Sequence, residues 1–158
     1  TPNKASSERI WREIQMTQQI LSRYSPNLPN LTFQRPVKGR DTGRFGMRRI
    51  MNGLPRQPHT GMDIAAPSGT PIHTPQNGRV VYTGTLFYTG NTVILDHGQG
   101  VMSLYAHLSK IMVRKDQLLT QGQVLGKVGK TGRATGPHLH WSIYLNQTSV
   151  DPSLFLNR

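Results

Sequence analysis

Short runs of strand-favouring residues, separated by glycine-containing turns, occupy most of the chain after Leu31 and argue against a helical bundle. The runs are Arg79–Tyr82, Thr92–Leu95, Met102–His107, Val124–Val128 and Leu139–Leu145. The chain has 158 residues with 16 Gly and 11 Pro, and it shows neither a βαβ alternation nor a repeat. We therefore predict a mostly β fold, an antiparallel sheet or partly open barrel, with one N-terminal α-helix.

The N-terminal helix is predicted over Ser7 to Tyr24, with Ser6 or Ser7 as its N-cap. Its apolar stripe comprises Ile10, Ile14, Thr17, Leu21 and Tyr24. Because Pro26 and Pro29 interrupt the pattern soon afterwards, we expect a linker there. The predicted organisation is a helix and linker over residues 1–30 and one domain over 31–158. The helix could dock a partner or precursor domain.

The chain is strongly basic, with 19 Lys and Arg against seven Asp and Glu and a net charge of +12. Such a charge attracts polyanions, and nucleic acid, an anionic membrane and an acidic cell envelope all remain compatible with it. A single-strand nucleic-acid binder is disfavoured, because aromatic content is 7% and no alternating basic and aromatic strand motif occurs. We expect no nucleic-acid partner.

Cysteine is absent, so any metal must be bound by His and carboxylate side chains. No apolar stretch approaches the roughly 20 residues of a membrane span, and the first residues do not resemble a signal peptide. We expect a mature or trimmed soluble segment.

Four of the six histidines occur at spacings that suit a shared site. His59 and Asp63 are separated by an even number of positions, as are His138 and His140, so each pair shares a face in an extended chain. His107 would share a face with Tyr105 if its segment is extended. Taken singly, these patterns also fit an incidental hydrogen bond or a half-buried histidine. The remaining two, His73 and His97, are interpreted as structural.

Several segments occur in the order found in one family. They are Gly43-Arg44-Phe45-Gly46-Met47-Arg48, His59-Thr60-Gly61-Met62-Asp63 through Pro71, Tyr105-Ala106-His107-Leu108-Ser109, and Gly132-Arg133-Ala134-Thr135-Gly136-Pro137-His138-Leu139-His140. Together they resemble the lysostaphin-like (LytM-type) zinc endopeptidases over roughly residues 33–152. No motif position is substituted.

The resemblance implies that His59, Asp63 and His140 bind Zn²⁺ and that His107 and His138 are the catalytic histidines. Two imidazoles and one carboxylate would leave a tetrahedral zinc one open position, as in catalytic sites. The implied function is endopeptidase cleavage of peptidoglycan cross-link peptides, in a periplasmic or extracellular location. The alternative is a catalytically inactive regulator that activates cell-wall amidases. Between a D-alanyl–diaminopimelate bond and a glycine bridge, we favour the former.

Overall fold

The computed structural model of the chain describes residues 3–46, 50–51, 54–55 and 60–157. An α-helix, α1, spans Lys4–Leu21, and a 3-10 helix spans Pro152–Phe155. The strands between them are β1 Arg40–Gly43, β2 Ile50–Met51, β3 Leu54–Pro55, β4 Met62–Ala65, β5 Pro71–His73, β6 Gly78–Leu86, β7 Gly90–Gly98, β8 Val101–Ile111, β9 Leu118–Leu119, β10 Val124–Val128, β11 His138–Leu145 and β12 Thr148–Val150.

One antiparallel sheet dominates the described residues, with its strands in the order β1-β4-β11-β8-β7-β6-β9. Strand β12 pairs with β11, β10 pairs with both β5 and β8, and β2 and β3 form a separate pair. Each of the five strand-favouring runs lies within a strand, in β6, β7, β8, β10 and β11. The mostly β fold with one N-terminal helix is therefore confirmed.

The sheet buries apolar side chains on both of its faces. One face carries the larger cluster, which includes fully buried Tyr105, Leu139 and Trp141. The other face carries a smaller cluster, in which Leu21 of α1 packs beside strand residues such as Met102 and Leu104. Each such large side chain contributes roughly 1.5–3 kcal/mol on burial, so both faces are held in contact with the rest of the molecule.

The helix begins three residues before the predicted start and ends three residues before the predicted end. Asn3 is the N-cap, because its side-chain oxygen accepts a 2.8 Å hydrogen bond from the Ser6 N–H. The prediction of Ser6 or Ser7 as cap was wrong. At the other end the Ser22 N–H donates to the Gln18 carbonyl and closes the last turn. No helix in the described part of the chain is long and apolar enough to cross a bilayer.

The side of α1 that meets the sheet differs from the predicted apolar stripe. Leu21 is buried, but Ile14 is 43% exposed, and Tyr24 lies beyond the helix and is 67% exposed. The carboxylate of Glu13 instead accepts a 2.7 Å hydrogen bond from the Phe87 N–H after β6. Ile10 and Thr17 of the stripe are half-buried, so the inward side of α1 combines part of the predicted stripe with this polar contact. The division at residues 30 and 31, and docking of a partner, stay predictions.

Candidate functional site

Pairing of β4 with β11 brings a carboxylate and two imidazoles to one face of the sheet. The register places His140 opposite Asp63 and His138 opposite Ala65. The His140 Nδ1 lies 2.8 Å from Asp63 Oδ1, and the His138 Nε2 lies 3.8 Å from the same oxygen. Leu139 projects to the opposite face, where it is fully buried. The alternation read from the sequence is therefore the geometry that the strand adopts.

A β-bulge brings His107 to the same place. His107 has a positive φ of 67°, and the register between β7 and β8 shifts at this point. As a result its ring centre lies 4.8 Å from that of His138 and 6.3 Å from that of His140. Tyr105 belongs to the cluster on the opposite face. The condition under which Tyr105 and His107 would share a face is not met, because the bulge interrupts the extended segment.

Backbone carbonyls of the loop before β11 orient two of the histidines. The His107 Nδ1 lies 2.7 Å from the Thr131 carbonyl, and the His138 Nδ1 lies 2.9 Å from the Gly136 carbonyl. A carbonyl only accepts, so both Nδ1 atoms carry the proton. In the neutral form each Nε2 then has a lone pair available. Neither carbonyl could be identified from the sequence, because every residue has a backbone carbonyl and residue identity does not show which one bonds a histidine.

Burial lowers the pKa of His107 to about 4. The neighbouring His138 and His140 lower the pKa of His107 further, against opposing effects of the Thr131 carbonyl and Asp63. His107 is therefore neutral at neutral pH, in the tautomer that the Thr131 carbonyl selects.

Two further residues support the Asp63–His140 pair. The Ser142 hydroxyl lies 3.0 Å from the His140 Nε2, on the side of the ring away from Asp63. Gly43 lies opposite Asp63 in β1, and a Cβ there would come within 2.8 Å of Asp63 Oδ2. Ser142 was missed in the sequence, although it continues the two-residue spacing of His138 and His140.

The donor atoms at this place fit a zinc ion. A carboxylate oxygen of Asp63 and an imidazole nitrogen of His140 are both ligand types that zinc accepts, and at 2.8 Å they can share one cation. The Ser142 contact is the kind of outer hydrogen bond that fixes a ligating imidazole. The third predicted ligand, His59, lies outside the described residues. Within residues 3–46 and 60–157, no three His, Cys, Asp or Glu side chains form a complete metal-binding group.

The two histidines interpreted as structural make hydrogen bonds elsewhere. The His97 ring is bonded to the Asn77 carbonyl at 2.7 Å and to the Ser103 hydroxyl at 2.7 Å. The His73 Nδ1 lies 2.9 Å from the Gly122 carbonyl. Neither ring belongs to the group around Asp63.

The family model for peptidase family M23 matches residues 57–152, which contain all five predicted site residues. The chain belongs to peptidase family M23. The peptidoglycan DD-endopeptidase ShyA of Vibrio cholerae is 45% identical over 123 residues, which cover 75% of this chain and 29% of ShyA. The M23 chain therefore spans less than a third of this relative's length.

Solved M23 structures share the fold. A Pseudomonas aeruginosa structure named as a peptidase M23 has a TM-score of 0.85 and 44% identity, over 98% of this chain and 63% of that one. A zinc-containing peptidase from Vibrio cholerae has a TM-score of 0.72 and 35% identity, over 77% of this chain and 39% of that one. The catalytic domain of lysostaphin from Staphylococcus simulans has a TM-score of 0.66 and 31% identity, over 74% and 91%.

Proposed function

We propose that this M23 chain is a zinc-dependent endopeptidase that hydrolyses peptide cross-links of bacterial peptidoglycan in the cell envelope, in the periplasm or outside the cell. The observation that supports it is the convergence of Asp63, His107, His138 and His140 from β4, β8 and β11. A relative of the same family is named a peptidoglycan DD-endopeptidase, and another is named a zinc-containing peptidase.

In this proposal Asp63 and His140 bind the zinc ion, together with His59. When bound, zinc would polarise the scissile carbonyl and lower the pKa of a coordinated water toward about 7. Ser142 keeps the His140 ring in one orientation through the hydroxyl at 3.0 Å. Gly43 leaves the space that the Asp63 carboxylate occupies.

In this proposal His107 and His138 transfer the proton from water and stabilise the developing negative charge. Hydrolysis needs a base that takes a proton from water and a donor that stabilises the oxyanion. With both Nδ1 protons directed to carbonyl oxygens, a neutral ring accepts the water proton at its Nε2, and the ring that stabilises the oxyanion donates only when its Nε2 is protonated. The His-Glu-x-x-His motif is absent from the sequence, which supports histidine rather than glutamate as the base.

The substrate class agrees with the charge of the chain. A net charge of +12 attracts a wall rich in carboxylates, although salt screens this attraction beyond about 8 Å at physiological strength. The DD-endopeptidase names of ShyA and ShyB support the D-alanyl–diaminopimelate bond over a glycine bridge.

The test is digestion of purified sacculi, with products identified by mass spectrometry. We expect cross-linked dimers to become monomers, with cleavage lost on adding a chelator and restored by zinc. If zinc-loaded protein leaves every cross-link intact, the endopeptidase proposal is wrong. Stimulation of an added amidase by that inactive protein would then support the regulator.

A further inference from the structure

Two loops beside the histidine cluster are locked together by their backbones. One is the turn between β6 and β7, and the other, residues 129–137, connects β10 to β11. The Arg133 N–H donates a 2.8 Å hydrogen bond to the Tyr88 carbonyl. Gly132 has a φ of +73°, and a Cβ there would come within 2.3 Å of the Gly90 nitrogen. The close approach therefore requires glycine and holds the next residue, Arg133, in a defined place.

The same two loops hold the histidines. The carbonyl of Thr131 bonds His107, and that of Gly136 bonds His138. The Thr89 carbonyl also accepts a 2.7 Å hydrogen bond from the His107 N–H. Arg133 lies between these anchor points, two residues after Thr131 and three before Gly136. Its side chain therefore leaves the backbone at the rim of the histidine cluster.

The Arg133 side chain lies over an aromatic ring and has no anionic partner among the described residues. Its guanidinium carbon is 5.3 Å from the centre of the Tyr88 ring, and both residues are exposed. Salt bridges such as Arg9–Glu13 and Arg35–Asp41 occur in the described ranges, but none of the carboxylates described there pairs with Arg133. A guanidinium that lies over an aromatic ring still has N–H donors available for a planar anion.

We propose that Arg133, positioned on Tyr88, binds a free carboxylate of the cross-linked peptide while the histidine cluster acts on a nearby bond. This inference rests on the endopeptidase function proposed above. A guanidinium binds a carboxylate through two parallel hydrogen bonds, which orient the peptide as well as hold it. The carboxylate is either the C-terminal group of a peptide stem or a side-chain carboxylate within it.

The experiment compares synthetic cross-linked peptides in which one carboxylate at a time is amidated. One substrate has all carboxylates free, the second has amidated C-termini, and the third has amidated side chains. For the unaltered protein we expect one of the two amidations to lower kcat/KM about tenfold, mainly through KM. The amidation that has this effect identifies the source of the carboxylate.

The variant Arg133→Gln should cleave all three substrates at the same reduced kcat/KM, because it no longer distinguishes a carboxylate from an amide. Arg133→Lys should restore part of the preference, since an ammonium is a point charge without the paired donors. Arg114→Gln is the matched control. It removes the same charge from an exposed position. Its segment contacts the start of β6, whereas Tyr88 follows the end of β6, so this variant should behave as the unaltered protein.

Two results would overturn the role of Arg133: an unaltered protein that ignores both amidations, or an Arg133→Gln variant that keeps the original preference. Failure of the endopeptidase proposal looks different, because no substrate is then cleaved. Calorimetric titration of the same peptides measures the carboxylate preference without cleavage. There we expect Arg133→Gln to weaken binding of the free peptide about tenfold, and an unchanged Kd would contradict the inference.

Discussion

Two histidine–serine pairs lie on opposite faces of the same sheet. They differ in the partner of the second ring nitrogen of the histidine. The Ser103 hydroxyl is 2.7 Å from the His97 Nε2, and the Ser142 hydroxyl is 3.0 Å from the His140 Nε2. The second nitrogen of His97 meets a backbone carbonyl, whereas that of His140 meets the Asp63 carboxylate. The partner of the second nitrogen therefore separates a structural histidine from a candidate metal ligand.

The His97 side is a closed chain of hydrogen bonds. Burial raises the pKa of Tyr105, so its hydroxyl stays protonated and donates to Ser103. Ser103 then donates to the His97 Nε2, and the His97 Nδ1–H donates to the Asn77 carbonyl. The Phe33 ring covers this group, with its centre 4.9 Å from that of His97. Every donor in this chain of hydrogen bonds has an acceptor, so both nitrogens of the His97 ring are already bonded.

The Asp63 side brings three histidine rings together beside one carboxylate. His138 and His140 lie within 4 Å of the same carboxylate oxygen, and the His107 ring lies beside them, tilted 45° to that of His138. Two of these rings are oriented from behind by carbonyls, which leaves their Nε2 atoms facing the cluster. Hydrogen bonding at one nitrogen of a ring therefore fixes which nitrogen faces the cluster.

The largest expected effects come from substituting His138 and His140, and the two variants should differ in whether zinc is retained. His138→Ala should lower kcat about 10²- to 10⁴-fold with zinc retained, because it removes a proton-transfer or donor group and no ligand. His140→Ala should lose zinc. Metal analysis and activity of both purified variants, with exposed His73→Ala as control, check this. Stoichiometric zinc in His140→Ala would show that the ligand assignment is wrong.

The next largest effect is expected on stability, from substitution of His97 on the opposite face of the sheet. His97→Ala should lower the free energy of unfolding by about 3 kcal/mol, since it opens a cavity and leaves buried polar partners without a bond. Zinc content and kcat of the folded protein should stay unchanged. Urea unfolding, followed by activity per folded molecule, measures both, and a large fall in kcat would contradict the separation of the two groups.

A change in pH should alter the stability of the fold through protonation of His97. Burial lowers the pKa of His97 from 6.5 to about 4 in the folded protein. As pH falls below 6.5 the unfolded chain takes up this proton first, so stability is lost between about pH 6.5 and pH 4 and is fully present above that range. This histidine alone contributes about 3 kcal/mol to the decline. Urea unfolding of the unaltered protein and of His97→Gln should differ in slope across this range.

The smallest effects come from the two serines. Ser142→Ala should lower zinc affinity about tenfold with stability nearly unchanged, because it releases a ligating ring. Ser103→Ala should lower stability by about 1 kcal/mol with zinc affinity unchanged. Competition with a chromogenic chelator and urea unfolding distinguish the two. Equal effects of both substitutions on zinc would remove the distinction between the faces.

Local spacing was enough to predict part of the site. His138 and His140 share a face because side chains alternate along any strand, and Leu139 between them enters the core for the same reason. The strand content followed from β-branched and aromatic runs between glycine turns. The N-terminal cap was missed, because Asn3 competed with two serines that have the same capping chemistry.

Long-range contacts decided the rest. The bulge at His107 depends on how β8 pairs with β7, so spacing within β8 alone does not give the face on which its ring lies. The Glu13 contact with the loop after β6 likewise joins residues far apart in sequence, and no pattern within α1 indicates it.

The sequence by itself determined a mostly β chain and which residue types could serve a metal site, because strand preference and side-chain alternation are local properties. Only the tertiary structure shows that Asp63, His107, His138 and His140 lie together, whereas His97 is buried in a separate hydrogen-bonded group. Strand pairing and loop contacts between distant segments set those positions, and no local pattern contains them.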